Sequence, residues 1–343
     1  MQGPMGQPEP RPFPTYVPYD LGTLGGASSC ALAINERGRV VGWAETPDGA
    51  RHAVLWEEGR ALDLGVLPGC TRSEAWDIND DGLIVGIAST DAHGAERAFA
   101  WHDGRMDELP GLAAPKGGAS ASAVNNLGQI VGGSLTGSAP SIPDYHAVQW
   151  EDDRVIDLDA LPEGVESHAW DLNDSGQVAG VAQTGDGVDR AVMWVASQIV
   201  ELGTLDGVES IASAINAQGW VVGTARAAGG FSRAFLWRDG VLSDLGTLAG
   251  GRHSRAYDVS DRGQVVGSAS TSRPDAPQRA FLWQDGLMAD LNDLLGPESG
   301  WVLTCAHGLN TRGRVVGQGV IEGRHRAFLL TPTDETTRRR RRG

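Results

Sequence analysis

The sequence predicts an all-β, seven-bladed β-propeller, and three observations favour this fold class. An Asn-x-x-Gly segment followed by a short apolar run recurs seven times, at intervals of 43 to 50 residues. Each copy is followed by a [His/Arg]-Ala-[Phe/Val]-x-Trp-like segment such as Arg233–Trp237, and most then by an Asp-Leu-Gly-like segment. Finally, the seventh unit lacks its closing segment, and a spare copy of it opens the chain at Asp20–Leu24.

Each repeat unit is predicted to form four short β-strands separated by turn residues, which is the content of a propeller blade. Asp-Gly pairs such as Asp103-Gly104 predict tight turns between the third and fourth strands, because glycine tolerates a positive φ. The repeated Asn is replaced by serine in the sixth unit, and its seven positions are Asn35, Asn79, Asn125, Asn173, Asn216, Ser260 and Asn310.

The spare segment at the start of the chain predicts how the ring closes. We expect an N-terminal strand to complete the last blade, since closure removes an exposed sheet edge. The predicted domain organisation is a disordered segment over residues 1–15, a single propeller over residues 16–332 and a disordered, Arg-rich tail over residues 333–343.

The two recurring motifs resemble those of the HAF-repeat family of bacterial β-propeller-like repeat proteins. The resemblance rests on [His/Arg]-Ala-Phe segments and Ala-Ile-Asn-x-x-Gly-x-Val-Val-Gly segments, and it covers about residues 17 to 330. It implies a propeller fold and often an extracellular location, but no settled chemistry. The first residues lack the apolar core of a secretory signal, so we expect a cytoplasmic protein instead.

Composition narrows the function classes. The formal net charge of −16 argues against nucleic-acid binding, which depends on neutralising phosphates with basic residues. The arginines at 338–342 are an exception to the acidic composition, and we interpret them as a solvated tail. Three cysteines form no paired framework, and no stretch is apolar for long enough to span a membrane. We expect a monomer.

The first strand of each unit carries the variable residues. We call the side with the Asn-x-x-Gly loops the Asn face and the opposite side, where loop lengths differ, the variable face. The fourth residue before the Asn is alanine in all seven units, which predicts tight packing between blades. Positions −7, −5 and −3 alternate with this alanine, and no two units share the same three residues, so we expect them to converge on a central funnel that opens at the variable face.

Titratable residues at these positions are the candidate catalytic groups: His168, His307, Glu166, Glu74 and Arg255. The predicted substrate-binding residues are Arg72, Trp76, Trp170, Glu209, His253, Tyr257, Cys30, Cys305 and the loop residue Trp301. Structural alternatives stay open, because aromatic residues can fill the space between blades, inward charges can pair with each other, and a cysteine can serve as a small buried hydrophobe.

A histidine oriented by a carboxylate serves as a general acid or base, and Glu166 lies two residues before His168. The sequence thus favours a cofactor-independent isomerase or cyclase that acts by acid–base catalysis on a hydrophobic metabolite. Alternatives are a small-molecule binding protein without turnover and a protein-interaction platform. No cofactor is expected; Mg²⁺ stays open, because ligands from different blades can meet.

Overall fold

The structure is a computed structural model that describes residues 13–90, 96–113, 118–137, 144–151, 154–196, 198–272 and 277–333. It contains seven four-stranded antiparallel sheets, which are the blades of a β-propeller. The one helical element in the described ranges is a 3₁₀ helix at Leu291–Leu294. No helix among the described residues is long and apolar enough to cross a membrane. The predicted fold class is confirmed.

The first strand of each blade surrounds the axis, and the second packs against it. The first strands are β2 (Ser29–Ile34), β6 (Arg72–Ile78), β10 (Ala119–Val124), β14 (Ser167–Leu172), β18 (Ser210–Ile215), β22 (Ser254–Val259) and β26 (Trp301–Leu309). The second strands are β3 (Val40–Glu45), β7 (Ile84–Ser89), β11 (Ile130–Leu135), β15 (Val178–Gln183), β19 (Val221–Arg226), β23 (Val265–Ala269) and β27 (Val315–Ile321).

The third and fourth strands form the outer half of each blade. The third strands are β4 (Arg51–Glu57), β8 (Arg97–His102), β12 (Tyr145–Glu151), β16 (Asp189–Val195), β20 (Ser232–Arg238), β24 (Arg279–Gln284) and β28 (Arg324–Pro332). The fourth strands are β5 (Arg60–Gly65), β9 (Arg105–Glu108), β13 (Arg154–Asp157), β17 (Gln198–Glu201), β21 (Val241–Asp244), β25 (Leu287–Asp290) and β1 (Tyr16–Asp20).

The N-terminal strand completes the last blade, as the sequence predicts. The seventh sheet has the order β26-β27-β28-β1, and β1 runs antiparallel to β28 from the pair Tyr16↔Pro332 to the pair Asp20↔Phe328. The strands thus span residues 16–332. The predictions of disorder for residues 1–12 and 334–343 lie outside the described residues.

Small residues allow the blades to pack closely around the axis. The repeated alanines of the first strands are completely buried: Ala31, Ala75, Ala121, Ala169, Ala212, Ala256 and Ala306. The glycine that ends each Val-Val-Gly run faces them; a Cβ atom on Gly42 would lie 2.0 Å from the carbonyl oxygen of Cys30. Only glycine fits there, because no side-chain atom can approach a backbone oxygen so closely.

The repeated tryptophans belong to the packing between blades. Trp56, Trp150 and Trp194 are buried in the hydrophobic clusters that join neighbouring blades. The other three lie partly buried against equivalent clusters: Trp101, Trp237 and Trp283. Their position in the scaffold separates them from the tryptophans near the axis.

The repeated Asn joins each blade to the next. The side-chain Nδ2 of Asn35 donates to the carbonyl oxygen of Asn79 at 3.0 Å, and the same bond recurs from Asn79 to Asn125 at 3.0 Å. Further bonds of this kind lead around the ring and return from Asn310 to Asn35 at 3.1 Å. We call this set of side-chain-to-backbone bonds the Asn clasp. It has six links, because Ser260 provides no amide donor towards Asn310.

Completing the Asn clasp is expected to stabilise the protein. The substitution Ser260→Asn supplies the missing Nδ2 donor, and one added hydrogen bond should raise the free energy of unfolding by about 1 kcal/mol. The reverse change, Asn79→Ser, leaves the buried carbonyl of Asn125 without its donor and should lower that free energy by about 1–3 kcal/mol.

Urea unfolding of both variants and the wild type measures this effect. Lower stability of Ser260→Asn than of the wild type would show that the serine is required at this junction for another reason. Equal stability of Asn79→Ser and wild type would show that the clasp does not hold the ring together.

Candidate functional site

A β-bulge in every first strand shapes the wall of the central lumen. The pairing between first and second strands skips the third residue before the Asn in every blade, and in the seventh blade it also skips Thr304. A bulge re-aims the side chain of the extra residue, so position −3 leaves the strict alternation assumed from the sequence. These bulge residues are Leu32, Trp76, Ser122, Trp170, Ser213, Tyr257 and His307.

His307 stands in a cluster between the sixth and seventh blades. The rings of His307 and Tyr257 lie 5.3 Å apart, and Nδ1 of His307 lies 3.8 Å from the Sγ of Cys305. Burial lowers the pKa of His307 to about 4, so its imidazole is neutral at pH 7. Its Nε2 makes no hydrogen bond with the described residues, and the residue is partly exposed.

Polar groups surround this histidine. The Ser268 hydroxyl donates to the Tyr257 hydroxyl at 3.5 Å, and the exposed Arg255 guanidinium lies beside the same phenol. Burial raises the pKa of the Cys305 thiol to about 12, so this thiol stays protonated and unreactive. The cluster therefore offers one neutral base, one phenol and one cation.

His168 lies between the third and fourth blades and is held more tightly. Its Nε2 lies 3.0 Å from the Ser122 hydroxyl, and a Cβ atom on Gly133 would lie 2.3 Å from its Nδ1. Trp170 covers the imidazole, with ring centroids 4.2 Å apart. Burial lowers the pKa of His168 to about 4. Both ring nitrogens thus face protein atoms, and only glycine at position 133 leaves room for the ring.

The predicted pairing of Glu166 with His168 is wrong. A carboxylate oxygen of Glu166 accepts a hydrogen bond from the Gln183 amide at 3.0 Å, while His168 bonds Ser122. The two residues do line the same cleft of about 290 Å³ at the variable face, together with Trp170. Glu166 precedes the strand, so its side chain lies at the rim instead of below the imidazole.

Three other predicted binding residues lie away from the lumen. Glu209 forms a half-exposed ion pair with Arg226 at 2.7 Å on the rim. His253 is exposed, and its Nδ1 accepts from the Ser232 backbone N–H at 3.3 Å. Trp301 is the clearest correction, because its side chain is buried in the core of the seventh blade against Phe328. The long loop before this tryptophan suggested a binding residue, but the indole supplies core volume.

The remaining predicted residues lie near the junction of the first, second and seventh blades. Glu74 pairs with Arg51 of the first blade at 3.5 Å, so its charge is directed between blades. Cys30 is buried, and burial raises its pKa far above the usual thiol value. Arg72 begins β6 at the rim, and Trp76 occupies the bulge of the same strand. Of the four residues Glu74, Cys30, Arg72 and Trp76, only Trp76 is a bulge residue.

Sequence reasoning missed three aspartates at position −2. Asp77, Asp171 and Asp258 lie in the second, fourth and sixth blades, where the other blades have alanine or glycine. Each carboxylate accepts the backbone N–H of its own following residue and one from the next blade. For Asp77 these donors are Ile78 and Val124, both at 2.8 Å. The equivalent bonds of the other two aspartates are 2.7 to 2.8 Å long.

These three carboxyl groups have raised pKa values. Burial raises the pKa of Asp77 to about 6 and that of Asp258 to about 7. Burial and then repulsion from Asp77 raise the pKa of Asp171 well above its usual value. The mutual repulsion of the three aspartates means that they lie near one another around the axis, where they are partly exposed, and we call them the lumen aspartates. Their alternation with small residues from blade to blade was the available sequence signal, and it is visible only when the repeats are aligned.

A cluster with metal-ligating atoms occurs elsewhere in the described chain. The ligand atoms of His146, Asp157 and Asp159 lie within 4.8 Å of one another on the outer strands of the third blade. His146 pairs with Asp157 as His52 pairs with Asp63 in the first blade, so this pair belongs to the repeat. It is remote from the lumen.

Sequence comparison gives a partial family match. Residues 165–319 match a family described as a protein of unknown function (DUF3466), which is less than half of the 343-residue chain. No curated protein matches the chain.

Solved structures resemble the chain in fold. A mutant puromycin hydrolase complexed with PGG has a TM-score of 0.57 and 14% identity, over 86% of this chain and 50% of its own. The Pyrococcus horikoshii acylaminoacyl peptidase has a TM-score of 0.50 and 15% identity, over 76% and 44%. YCF48 bound to D1 peptide has a TM-score of 0.51 and 13% identity, over 93% and 96%. The chain spans about half the length of the first two, and at these identities the likeness concerns the fold alone.

The lumen aspartates predict an unusual dependence of stability on pH. Their pKa values in the folded protein exceed the unfolded value of 3.8, so the folded state holds protons that the unfolded state releases. The contribution of these aspartates to the free energy of unfolding should therefore rise as the pH falls from 8 to 5, by up to about 1.4 kcal/mol per pH unit for each excess proton. The lowered pKa values of His168 and His307 act in the opposite direction below the unfolded value of 6.5.

Urea unfolding across this pH range measures the slope. The substitution Asp258→Asn removes one titrating group, so the stability of this variant should fall relative to that of the wild type as the pH falls from 8 to 5. Asp239→Asn at an exposed turn should leave the slope unchanged. Equal slopes in both variants would contradict the assignment of raised pKa values to the lumen aspartates.

Proposed function

We propose that the protein binds a hydrophobic small molecule in the lumen and converts it by proton transfer, as a cofactor-independent isomerase or cyclase. The observation that carries this proposal is the bulge in every first strand. The same backbone irregularity places one residue per blade at this level of the first strands, and the seven residues are of five types, among them two tryptophans, one tyrosine and one histidine. Variation among residues that a rigid scaffold holds at equivalent positions is typical of a site for a specific ligand.

His307 is the preferred base in this proposal. Its low pKa keeps the imidazole neutral, and a neutral imidazole with an available Nε2 can accept a proton from a bound substrate. Arg255 supplies a positive charge at the entrance, and such a group stabilises an enolate or alkoxide as negative charge develops. Tyr257 stands beside both residues and offers a phenolic proton for return to the product.

The opposite wall supplies apolar contact. Trp170 is 38% exposed although it lies near the axis, and it covers the entrance to the cleft of about 290 Å³. Trp76 presents a second indole two blades away. His168 is interpreted as a positioning residue, because Ser122 and Gly133 hold its ring beneath Trp170.

A binding protein without turnover is the second candidate, and the environment of His168 favours it. Nε2 of His168 is hydrogen-bonded to Ser122 and Nδ1 is packed against Gly133, so this histidine offers no free ring nitrogen to a substrate. The aromatic wall would serve binding equally well. A protein-interaction platform has weaker support, because the distinctive residues line the axis. A cytoplasmic, monomeric protein that binds no nucleic acid fits the acidic composition.

Comparing metabolites from a deletion strain and its parent tests the proposal. An isomerase or cyclase should leave a compound that accumulates with the mass of the missing product but elutes differently. Wild-type protein should restore the product, whereas His307→Asn should not, although its melting temperature stays close to that of the wild type. His168→Ala should instead lower the melting temperature, because it empties a packed position.

The outcomes separate the candidates. An unchanged metabolite profile would contradict the biosynthetic role and favour binding or interaction. A profile that His307→Asn restores as fully as the wild type would exclude this histidine as the base.

A further inference from the structure

The cleft between the third and fourth blades, which opens at the variable face, carries negative charge without positive charge. Its volume is about 290 Å³, and none of the residues that line it is an arginine or a lysine. The imidazole of His168, which also lines it, is neutral at pH 7 because burial lowers its pKa to about 4. The side chains that give the cleft its character are Tyr145, Glu166, Trp170, Gln183 and Asp189.

Three of these residues form one row across the fourth blade. Gln183 pairs with Asp189 in the register between β15 and β16, and the Gln183 backbone N–H donates to the carbonyl oxygen of Glu166 at 2.8 Å. Residues directly opposite one another on neighbouring strands point to the same face of a sheet, so the three side chains share one side. The Gln183 amide donates to the Glu166 carboxylate at 3.0 Å. A neutral amide orders this carboxylate but does not neutralise it.

Other blades place an arginine in the equivalent row when the row contains a glutamate. In the fifth blade, Glu209 forms an ion pair at 2.7 Å with Arg226, which occupies the position of Gln183. In the first blade, Glu45 stands opposite Arg51. The row of the fourth blade instead contains two carboxylates, and neither forms an ion pair with any residue in the described part of the chain. This row therefore lacks the cation that the other two rows contain.

Two aromatic side chains complete the cleft. Trp170 is 38% exposed and belongs to the same blade as the two carboxylates, whereas Tyr145 comes from the third blade. The faces of aromatic rings attract cations within about 6 Å, and tryptophan attracts them most strongly. Carboxylates form their strongest hydrogen bonds with positively charged N–H donors. Aromatic rings beside two carboxylates without a cation are typical of a site for an organic ammonium group.

We propose that this cleft binds a protonated primary or secondary amine carried by the small molecule that occupies the funnel. The ammonium N–H groups pair with Glu166 and Asp189, and the adjoining carbon atoms lie against Trp170. This inference deepens the proposed function and rests on it for the presence of a ligand beside Trp170. It adds the charged group of that ligand and requires no proton transfer.

Dansylcadaverine, a fluorescent primary amine, tests the requirement for positive charge, and its N-acetyl derivative is the matched neutral probe. Fluorescence anisotropy at low salt and pH 7 measures the binding of both probes to the purified protein. The wild type should bind the amine at least about tenfold more tightly than the amide, because only the amine is charged and pairs with the carboxylates.

Matched variants locate the binding surface. The double substitution Glu166→Gln and Asp189→Asn should weaken binding of the amine at least about tenfold and leave binding of the amide unchanged. Gln183→Arg should weaken amine binding similarly, because it places in this row the arginine that pairs with Glu209 in the fifth blade. The charge control, Asp206→Asn and Glu209→Gln at exposed positions of the fifth blade, removes two negative charges and should bind like the wild type.

Two results would overturn the inference. Equal affinity of the wild type for the amine and the amide, or no binding of the amine, would show that the cleft does not recognise an ammonium group. Equal loss of amine binding in the cleft variant and the charge control would show a general response to net charge. Either result would leave the proposed conversion standing, whereas an unchanged metabolite profile in the deletion strain would contradict the conversion and leave amine binding unaffected.

Discussion

The Asn clasp is the interaction on which the rest of the structure depends. A ring of blades must hold its first strands in register around an axis, where small residues leave little side-chain surface for packing. The side chain of Asn79 bonds its own loop through Oδ1 and the next blade through Nδ2, so one residue fixes both the turn and the junction. This double use explains why the motif recurs with almost no variation.

Because the Asn clasp holds each first strand at the Asn face, the end of the strand at the variable face is not needed to fix the position of the blade. Blade position is fixed at the Asn face and by the buried alanines, so residues near the variable face are free to differ. The bulges then direct one such residue per blade towards the axis. Because the number of blades is odd, the aspartates cannot occupy every second blade around the whole ring. The seventh and first blades are neighbours that both lack the aspartate, with Gly308 and Ala33 at its position.

Much of this could be predicted from the sequence, because propeller geometry repeats. The blade count, the closing strand and the scaffold role of the repeated tryptophans follow from the motifs themselves. The candidate site was harder to predict. Alternation placed Trp170 and His168 on one strand face, but the bulge between Ala169 and Asp171 changes that relation. Trp301 was misassigned because a long loop does not reveal whether its last side chain turns inward. The enzymatic role and the HAF-repeat resemblance stay predictions.

The central claim is that the bulge residues line a ligand site, and filling the lumen tests it most directly. Ser213 is a small bulge residue between blades that carry Trp170 and Tyr257, and the tryptophans of two other blades show that the bulge accepts an indole. Native mass spectrometry of protein purified from its own cells would detect a bound small molecule. The account predicts that Ser213→Trp loses this ligand while Leu127→Trp, at an exposed loop on the Asn face, retains it. Retention of the ligand by both variants would contradict the account.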